Sequence, residues 1–581
     1  MDRNSKTHHT DIMKFKHIGK KGPVNKTGPV EEESSLSRRN FLRNSSSAGV
    51  GIGLIVTSKT ALGQKATKEG VVRCGIIGYG EEGEALKDSS KVLRDSKGEL
   101  NVRFVAVSDI WGRNLRKGVG QIAASGQGGG QDGKTCTGYA DPEEMIKKEE
   151  DLDCIVVATP DFVHDKHTIM GLEAGLDVYC EKLMSNDIEK ARAMVKKQRE
   201  TNKLLQIGHQ RRSNPRYLHV KNEILNKKNN LLGWITHMSA QWNRSRGGSV
   251  PREIPQGKDA LDDQVLKDNG YNGGAMGMFE FRNWRMYKKF GGGIISDLGA
   301  HQIDIFNWLL DTTPNSIFAQ GGTDYYTGEF LNDLLTSEVK EALEKTKSSK
   351  RKAKLQAELD IVSQVKDGYE HADNVMAFFE YDTPRAKWGT KGGTGDILKT
   401  RAYYQVLTTS SSQKFFEKFM GEDGTMSISE LTEYNQIYRE AHAKSWEEYG
   451  LGAKPLIEKD ISQEEIYNKF WEKPAPWRAA KTEPGKWDAD LPEKIKNSGV
   501  ADARVTKGLD PWELPSHVQF DERPHAPHLR NFFDAVRNNG SQDDLNCPAI
   551  EGFKTTVTCM KIHEAIEKGE KIEFKPEDFV V

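Results

Sequence analysis

The sequence predicts an α/β protein in which a doubly wound parallel sheet is followed by an α+β domain with an open, mostly antiparallel sheet. Three observations support this: a glycine-rich turn after a short apolar run, apolar runs that alternate with helical stretches up to residue 207, and alternating strand-like runs beyond residue 370. With 581 residues, the chain is long enough for two hydrophobic cores and insertions. The predicted domains span residues 70–207 and 208–581.

The composition indicates a globular protein, since 36% of the residues are hydrophobic and 29% are charged. A formal net charge of -1 gives no reason to expect a nucleic acid as a partner. The six cysteines form no CxxC pair, so we interpret them as buried thiols and predict no metal site.

Residues 1–63 have the features of an export signal. A basic, polar stretch leads to Arg38-Arg39 and Phe41-Leu42, and a weakly apolar run follows at residues 48–56. That run is far shorter than the roughly 20 residues that span a bilayer, which favours a signal peptide over a membrane anchor. The paired arginines resemble a twin-arginine signal, which the export machinery reads on folded proteins. We expect a periplasmic or otherwise exported protein, with a disordered basic tail as the alternative.

The segment after this signal predicts a dinucleotide site. Val71–Ile77 is strand-like, a helix-like run follows residue 83, and between them lies a GxGxxG motif of the Rossmann type. The first glycine allows the tight turn, the second lets the backbone approach a pyrophosphate, and the third lets helix and strand pack closely. The helix amino end then faces the phosphates. The candidate cofactor-binding residues here are Gly78, Tyr79, Gly80 and Gly83.

The second strand, Val102–Ser108, ends at a carboxylate that indicates which dinucleotide is bound. Asp109 can accept both hydroxyls of the adenosine ribose, which favours NAD. It lies further past Gly83 than the usual distance of roughly 20 residues, and the polar stretch 89–100 is an insertion that accounts for this. Because Arg113 can contact a 2′-phosphate, NADP stays open.

Two further strands end in polar residues. Thr159 ends the strand at residues 154–159 and Pro160 follows it, and Glu181 and Lys182 follow the strand Asp177–Cys180. Ligands of doubly wound sheets bind beyond the carboxyl ends of the strands, so we expect all four residues to lie at the cofactor.

These motifs together resemble the glucose-fructose oxidoreductase and inositol dehydrogenase family (Gfo/Idh/MocA). In that family Glu-Lys-Pro follows this strand, and the resemblance implies that Lys182 lies beside the nicotinamide and the reacting hydroxyl. The sequence here is Glu181-Lys182-Leu183. It departs from the family at Leu183, which lacks the backbone restriction of proline.

The segment Phe290–Asp304 carries the candidate catalytic pair. Three glycines precede Asp297, and His301 follows four residues later, so the two share a face on a helix. A carboxylate beside an imidazole raises its basicity, as suits a general base. The pattern is similar to the family's Asp-x-x-x-His pair. The resemblance implies that His301 takes the hydroxyl proton, Asp297 helps to bind or tune, and hydride passes to the nicotinamide. A structural histidine is the alternative.

Candidate substrate residues lie in two other segments. The run Gly208–Pro215 is similar to the family's crossover into the second domain, and there we expect Arg211 and Arg212 either to reach the site or to pair with surface acids. Trp284 and Arg285 lie in the run FRNWRMY, where aromatic faces and arginines suit a sugar. A packed aromatic hinge is the alternative interpretation of this run.

The rest of the chain predicts antiparallel strands, two insertions and two closing helices. The strands are expected at residues 374–381, 403–409 and 424–429, and the helices at 528–538 and 549–567. The first insertion, about 334–365, is rich in Lys and Glu and predicts helices with a solvated face. The second, about 431–523, is rich in tryptophan and is expected to wrap a partner subunit or roof the site. The family's open sheet often serves oligomerisation, so a homo-oligomer is implied.

The sequence therefore predicts an exported NAD(P)-dependent oxidoreductase that holds its cofactor tightly and acts on a sugar or polyol hydroxyl. Tight binding is expected because little free NAD exists outside the cytoplasm. Two alternatives stay open. One is an NAD-dependent glycoside hydrolase or lyase that oxidises the sugar transiently and eliminates the aglycone. The other is a non-catalytic sugar-binding protein, which the departure at Leu183 suggests.

Export provides the first testable prediction. Replacing Arg38 and Arg39 by lysine is expected to leave the precursor in the cytoplasm, because the twin-arginine machinery recognises the arginine pair. Fractionation of cells followed by immunoblotting measures this. Unchanged export of the double variant would show that the pair is not the signal.

Overall fold

The computed structural model describes residues 70–94, 101–225, 230–245, 252, 254–255, 257–431 (except 389 and 391), 434–440, 443 and 522–581. The predicted signal peptide at 1–63 and nearly all of the tryptophan-rich stretch at 431–523 lie outside these residues. Within the described residues, no helix combines the length and the apolar character that crossing a bilayer requires.

The first sheet is formed by the predicted apolar runs. Its strands are β1 (Val72–Ile77), β2 (Val102–Ser108), β3 (Thr137–Tyr139), β4 (Cys154–Val157), β5 (Asp177–Cys180) and β6 (Leu205–Ile207). Among the described residues it has six strands, all parallel, in the order β3-β2-β1-β4-β5-β6. This is the order of a Rossmann sheet, which the sequence predicted. The order reverses between β1 and β4, so the crevice for a ligand lies beyond the carboxyl ends of these two strands.

Helices cover both faces of the first sheet, which explains why its strands are apolar throughout rather than alternating. The helices of this part are α1 (Glu81–Ser89), α2 (Gly112–Ser125), α3 (Pro142–Lys148), α4 (His164–Glu173) and α5 (Ile188–Thr201). Aspartates begin two of them: the side chain of Asp141 accepts a hydrogen bond from Glu143 N, and that of Asp187 accepts one from Lys190 N.

The second sheet is mixed and mostly antiparallel, as predicted. Its strands are β7 (Ile235–Asn243), β8 (Pro314–Gly322), β9 (Asn374–Pro384), β10 (Ile397–Leu407), β11 (Phe415–Gly421), β12 (Gly424–Ile428), β13 (Gln436–Arg439) and β14 (Ile572–Glu573). In the described part of the chain the order is β13-β12-β11-β7-β10-β9-β8-β14, with β7 and β10 parallel and the other neighbours antiparallel. Residues in β9 alternate between buried Val375, Ala377 and Phe379 and the exposed Met376 and Phe378.

Helices of the second half pack on the buried face of the second sheet, and the last two of them also pack against the first sheet. They are α6 (Pro215–His219), α7 (Asp263–Asp268), α8 (Gly274–Arg282), α9 (Ala300–Leu310), α10 (Gly328–Lys345), α11 (Ser349–Val362), α12 (Arg385–Trp388), α13 (Ala526–Arg537) and α14 (Ala549–Lys568). Helix α9 is buried on nearly every side, and Ile303 and Phe306 join the core that includes Phe379 and Phe419 of the sheet. This burial fixes the position of His301 near the start of α9.

The two C-terminal helices return to the first sheet. Phe532 and Phe533 of α13 share a hydrophobic core with Phe104 of β2, and Phe553 of α14 shares another with Leu205 of β6. The predicted domain boundary at residue 207 therefore stays a prediction, because α13 and α14 complete the hydrophobic cores of the first sheet.

The Lys/Glu-rich insertion forms the helix pair α10 and α11. Its outer residues are solvated as predicted, but each helix also has a buried face. Leu331, Leu335 and Val362 pack into a separate hydrophobic cluster with Trp111 and Tyr326. The insertion therefore packs into one cluster with Trp111, which follows β2 of the first sheet. The charged composition of the insertion did not predict this contact.

Candidate active site

The glycine-rich turn joins β1 to α1. Gly78 has a φ of +88°, which side chains disfavour, and a Cβ there would overlap the carbonyl group of Ala158. A Cβ at Gly83 would overlap the carbonyl oxygen of Gly78, so only glycine lets α1 begin this close to the turn. The space next to Gly80, in contrast, is open to at least 4 Å.

The start of α1 fits a pyrophosphate. No side chain caps this helix end, so its first backbone N–H groups remain available to an anion. The first turn carries three glutamates, which would repel phosphates, but each lies beside a basic side chain. The pairs are Glu81 with Arg252, Glu82 with His525 at 3.2 Å, and Glu84 with Lys117 at 2.6 Å.

Tyr79 supports the turn rather than offering a side chain to a ligand. Its ring is fully buried against Gly118, and its hydroxyl donates a hydrogen bond to Gln121 Oε1 at 3.0 Å. Its backbone N–H donates to Asp109 Oδ2 at 2.8 Å. The cofactor contact expected of Tyr79 therefore stays a prediction for its backbone, since the ring is fully buried.

Asp109 connects the glycine-rich turn with the end of β2. Its carboxylate accepts hydrogen bonds from the backbone N–H groups of Tyr79 and Trp111, both at 2.8 Å. Burial raises the pKa of Asp109 to about 6, although these hydrogen bonds favour the charged form. The Asn114 side chain also bonds to this carboxylate, which leaves one lone pair for a ligand, so the ribose contact stays a prediction.

Thr159, Pro160 and Glu181 line the same edge of the sheet. The side chain of Thr159 lies against Gly78 and its hydroxyl is 3.2 Å from His167 Nδ1. Glu181 is buried and accepts hydrogen bonds from Tyr179 Oη and from Lys182 N, both at 3.1 Å. Burial and the neighbouring Glu82 raise the pKa of Glu181 to about 8.

Lys182 joins the first domain to the second. It follows β5, the Lys182–Leu183 peptide bond is cis, and its Nζ donates a hydrogen bond to the backbone carbonyl oxygen of Asp297 at 2.6 Å. The structure thus brings the predicted lysine to the predicted Asp297–His301 segment, although the two are more than 100 residues apart in the chain.

Asp297 is not paired with His301 as the sequence analysis expected. Residues Ile295–Gly299 form a wide π-helical turn before α9, and the Asp297 carboxylate accepts a hydrogen bond from Arg285 Nε at 3.1 Å. Arg244 Nη1 lies 3.7 Å from its other oxygen. Burial favours the neutral acid, but Arg285, Lys182 and Arg244 outweigh it and hold the pKa of Asp297 well below its usual value.

His301 lies at the start of α9, buried to 7% exposure beside Trp242, with the ring centroids 5.5 Å apart. Its Nδ1 has no hydrogen-bond partner among the described residues. Burial, with the positive charges of Lys182 and Arg211, lowers the pKa of His301 well below its usual value. The sequence predicted a raised pKa for His301, on the expectation of a carboxylate partner, and that prediction is wrong. The ring is therefore neutral near pH 7 and able to accept a proton.

Arg211 and Arg212 pair with acids, but with buried ones rather than at the surface. Arg211 binds Glu417 and lies 3.3 Å from Glu430, and Arg212 donates two hydrogen bonds to Asp304 at 2.8 and 2.9 Å. Both guanidiniums are at most 2% exposed. The substrate contact predicted for Arg211 is therefore corrected: the residue supports the site by stacking over Trp242 at 5.4 Å.

Arg285 lies against Asp297, and Trp284 precedes it in the chain. They form one short turn, and the Arg285 guanidinium stacks over the Trp284 ring at 4.3 Å. Arg285 is 46% exposed at the side chain, and Trp284 packs where a Cβ of Gly291 would be. Arg285 thus lies beside Asp297, and the substrate contact expected of Trp284 and Arg285 stays a prediction.

One cluster among the described residues has the ligand types of a metal site. Oxygen or nitrogen atoms of Glu82, Glu181 and His525 lie within 4.8 Å of one another. The sequence analysis predicted no metal here, and that expectation stays a prediction.

Two family models match this chain. One, described as an oxidoreductase family with an NAD-binding Rossmann fold, matches residues 72–209, and the other, the GFO/IDH/MocA C-terminal domain, matches residues 228–384. Together they cover slightly more than half of the chain. The chain belongs to the Gfo/Idh/MocA family. Its first domain is an NAD-binding Rossmann domain, as the sequence predicted.

Similar curated proteins match this family member over part of their length. An inositol 2-dehydrogenase of Mycolicibacterium smegmatis is 30% identical over 151 residues, which are 26% of this chain and 39% of the relative. An inositol 2-dehydrogenase of Rhodococcus erythropolis is 39% identical over 82 residues, 14% of this chain and 23% of the relative. The chain thus spans less than half the length of these curated relatives.

Solved structures share the fold of this family member. A levoglucosan dehydrogenase in complex with NADH and levoglucosan has a TM-score of 0.52 at 13% identity, covering 87% of this chain and 99% of that one. An oxidoreductase domain protein from Kribbella flavida has a TM-score of 0.53 at 14% identity, covering 87% and 100%. At these identities the likeness shows the fold alone.

The structure adds a buried histidine that the sequence analysis did not select. His164 Nδ1 lies 2.7 Å from the carbonyl oxygen of Leu183, and its Nε2 lies 2.6 Å from that of Thr159. Carbonyl oxygens only accept, so both ring nitrogens must carry hydrogen to make the two bonds. Burial opposes this charge, but Cys180, Asp161 and the Leu183 carbonyl raise the pKa of His164 to about 10. The imidazolium holds together the two loops that carry Thr159 and Lys182.

Two more histidines hold the glycine loop before Asp297. His371 Nε2 bonds to the carbonyl oxygen of Gly291 at 2.8 Å, and His563 Nε2 bonds to that of Gly292 at 2.9 Å. His371 also fills the space that a Cβ at Gly293 would need. No local sequence pattern predicts this role, because His371 lies in the loop before β9 and His563 lies in α14.

His164 gives a prediction. His164→Gln retains one donor nitrogen and puts a carbonyl oxygen, which cannot donate, in place of the second, so one loop loses its bond. A misplacement of about 1 Å costs on the order of 10²-fold in rate, and we expect a fall in kcat with KM nearly unchanged. Nitrogen-15 spectra of histidine-labelled protein at pH 8 should show a doubly protonated ring that this variant lacks. The exposed His237, changed to Gln, is the control. Normal kcat in His164→Gln would contradict a positioning role.

Asp109 gives a second prediction. Asp109→Ala is expected to weaken NAD binding far more than NADP binding, by roughly ten- to hundredfold, the weight of a charge-assisted hydrogen bond. Calorimetry with each nucleotide measures it. Because Asp109 also accepts two backbone hydrogen bonds, any part of the loss that both nucleotides share reports damage to the turn. Equal loss of both nucleotides would remove Asp109 from the ribose role.

Proposed function

We propose that this protein is an exported oxidoreductase that holds NAD(P) tightly and oxidises a hydroxyl group of a sugar or polyol. The observation that carries the proposal is the 2.6 Å hydrogen bond from Lys182 to the carbonyl of Asp297. It places the lysine at the carboxyl end of β5 against the turn that leads to His301, beyond the edge of the sheet where a dinucleotide binds.

The two side chains have complementary roles toward a substrate hydroxyl. The Lys182 ammonium gives one N–H to the Asp297 carbonyl and has two more donors for the substrate oxygen, whose developing negative charge it stabilises. His301, neutral because of burial, accepts the hydroxyl proton as that charge develops. The bound nicotinamide ring supplies the acceptor for the hydride.

The surroundings of the pair suit a polyhydroxylated substrate. Both arginines that contact Asp297 also lie over tryptophan rings, Arg244 over Trp242 and Arg285 over Trp284. A sugar offers hydroxyl groups that can bond to such guanidinium and carboxylate groups. The inositol 2-dehydrogenases among the relatives support a polyol as the substrate class.

Export and tight cofactor binding belong to the same proposal. The twin-arginine-like signal at Arg38-Arg39 supports export of a folded protein. An enzyme outside the cytoplasm that uses a dinucleotide needs a cofactor that does not dissociate. Denaturing the purified mature protein and measuring the mass of the released nucleotide tests this directly, and a nucleotide-free protein would contradict it.

The chemistry gives a prediction on His301. His301→Ala is expected to leave the nucleotide bound and to slow its single-turnover reduction by a sugar substrate by roughly 10²–10⁴-fold, the weight of one acid–base group. Because the pKa of His301 is lowered, the wild-type rate should stay flat as pH falls through 6.5 and decrease only below it, when the ring gains its proton.

Absorbance at 340 nm after rapid mixing measures both effects, with His237→Gln as the control. Near-normal turnover in His301→Ala would exclude His301 as the base. Release of an aglycone without net reduction of the nucleotide would contradict the proposed dehydrogenase reaction.

A further inference from the structure

A segment from the second half of the chain contacts the first domain at two places beside the dinucleotide site. We call residues 252–261 the cover segment. Arg252 and Asp259 make its two contacts with the first domain, and they are seven residues apart in the chain. The described residues of the segment are Arg252, Ile254, Pro255 and residues 257–261.

The first contact lies at the start of α1. Arg252 Nη1 donates a hydrogen bond to the carboxylate of Glu81, the first residue of this helix. The backbone N–H of Arg252 donates to Asn283 Oδ1 at 2.6 Å, which fixes this contact to the end of α8. The pyrophosphate of a dinucleotide binds at this end of α1, so the first contact of the cover segment lies beside the phosphates.

The second contact lies beside Asp109, where the adenosine ribose is expected. Trp111 Nε1 donates a hydrogen bond to the backbone carbonyl oxygen of Asp259 at 2.7 Å, and Trp111 N donates to Asp109 Oδ1 at 2.8 Å. The Trp111 ring is buried to 3% exposure and packs edge-on against Phe281 of α8, with the ring centroids 5.7 Å apart. Trp111 therefore joins the cover segment to the end of β2.

Between these two contacts the cover segment packs against α8. Ile254 is buried to 1% exposure in the hydrophobic cluster that also contains Trp111 and Phe279. The backbone N–H of Leu261 donates to Met278 Sδ at 3.4 Å. The described part of the segment is therefore fixed by helix α8 on one side and by the first domain at its two contacts.

We propose that the cover segment forms the outer wall of the adenosine half of the dinucleotide site and retains the bound nucleotide. A nucleotide that extends from the start of α1 to Asp109 covers the same span as the segment, so it leaves only after a contact of the segment opens. This inference rests on the proposed function for the tight binding of the cofactor. It assigns part of that binding to residues outside the Rossmann motif.

Both contacts are weak enough to open, so the segment slows the exchange of nucleotide without preventing it. The side chains of Arg252 and Glu81 are 40% and 70% exposed, and exposed ion pairs contribute little to stability. The contact between Trp111 and Asp259 is a single neutral hydrogen bond, which also has a modest net weight. Loss of either contact should therefore raise the exchange rate by a measurable factor.

The test measures nucleotide exchange on the mature full chain with its nucleotide bound. The protein is incubated with excess carbon-13-labelled NAD, separated from free nucleotide at intervals and denatured, and the masses of the released nucleotide give the exchange rate. Trp111→Phe keeps a packed ring but loses the Nε1 donor, and Glu81→Gln loses the ion pair with Arg252. Removing a negative charge beside the phosphates would by itself slow release, so faster exchange in Glu81→Gln reports the cover segment.

Each variant has a matched control. Trp388 is buried to 4% exposure and its Nε1 has no hydrogen-bond partner among the described residues, so Trp388→Phe makes the same change without losing a contact. Glu84→Gln removes a charge from the same turn of α1, but its partners Lys117 and Gln121 lie in α2 rather than in the cover segment.

We expect exchange to accelerate roughly two- to tenfold in Trp111→Phe, the weight of one hydrogen bond, and roughly two- to fivefold in Glu81→Gln, the weight of an exposed ion pair. The double variant should exchange faster than either single variant. The two controls should exchange at the wild-type rate.

A wild-type exchange rate in Trp111→Phe or in Glu81→Gln would overturn the inference, and so would equal acceleration in the matched controls, which would indicate a general loss of stability. In these cases a wild-type protein that retains its nucleotide leaves the proposed function intact. Nucleotide that leaves the wild-type protein during the separation contradicts tight binding and the cover segment together. Failure of every sugar to reduce a retained nucleotide contradicts the proposed reaction alone.

Discussion

The hydrogen bond between Lys182 Nζ and the carbonyl oxygen of Asp297 is the contact on which the geometry of the site depends. It joins the end of a strand in the first sheet to the turn before the buried helix α9 of the second domain. The acceptor is a neutral carbonyl rather than a carboxylate, so the charge of the ammonium is not cancelled by its partner. The residue that ties the domains together therefore also keeps a positive charge for the cleft.

Buried charges fix the surroundings of this contact. Arg212 and Asp304 form a fully buried, two-bond ion pair, and Thr555 of α14 donates a further hydrogen bond to Asp304 at 2.9 Å. Such pairs contribute little net stability, because both ions lose their hydration, but removing one partner leaves the other uncompensated at a cost of about 3–5 kcal/mol. The crossover from β6, helix α9 and helix α14 are thereby held in one arrangement.

Sequence reasoning succeeded where the information was local. The GxGxxG turn follows directly from its glycines, the sheet follows from apolar runs at regular spacing, and Lys182 lies where the end of a parallel strand must place it. Prediction from the sequence failed where a side chain's partners come from distant segments of the chain. The expected Asp297–His301 pair gave way to Arg285 and Arg244, and the surface pairing of Arg211 gave way to Glu417, which is 206 residues away. No local pattern specifies such partners.

The return of the C-terminal helices to the first sheet has a consequence for how the protein is made. Phe532, Phe533 and Phe553 complete the hydrophobic cores of a sheet whose first strand begins at Val72. A nascent chain can therefore assemble the strands of its nucleotide-binding domain early, but their core stays incomplete until Phe553 has left the ribosome. More than 450 residues separate Val72 from Phe553, and all of them must be made before the dinucleotide site becomes stable. This order of events suits a protein whose expected export route accepts only chains that are already folded.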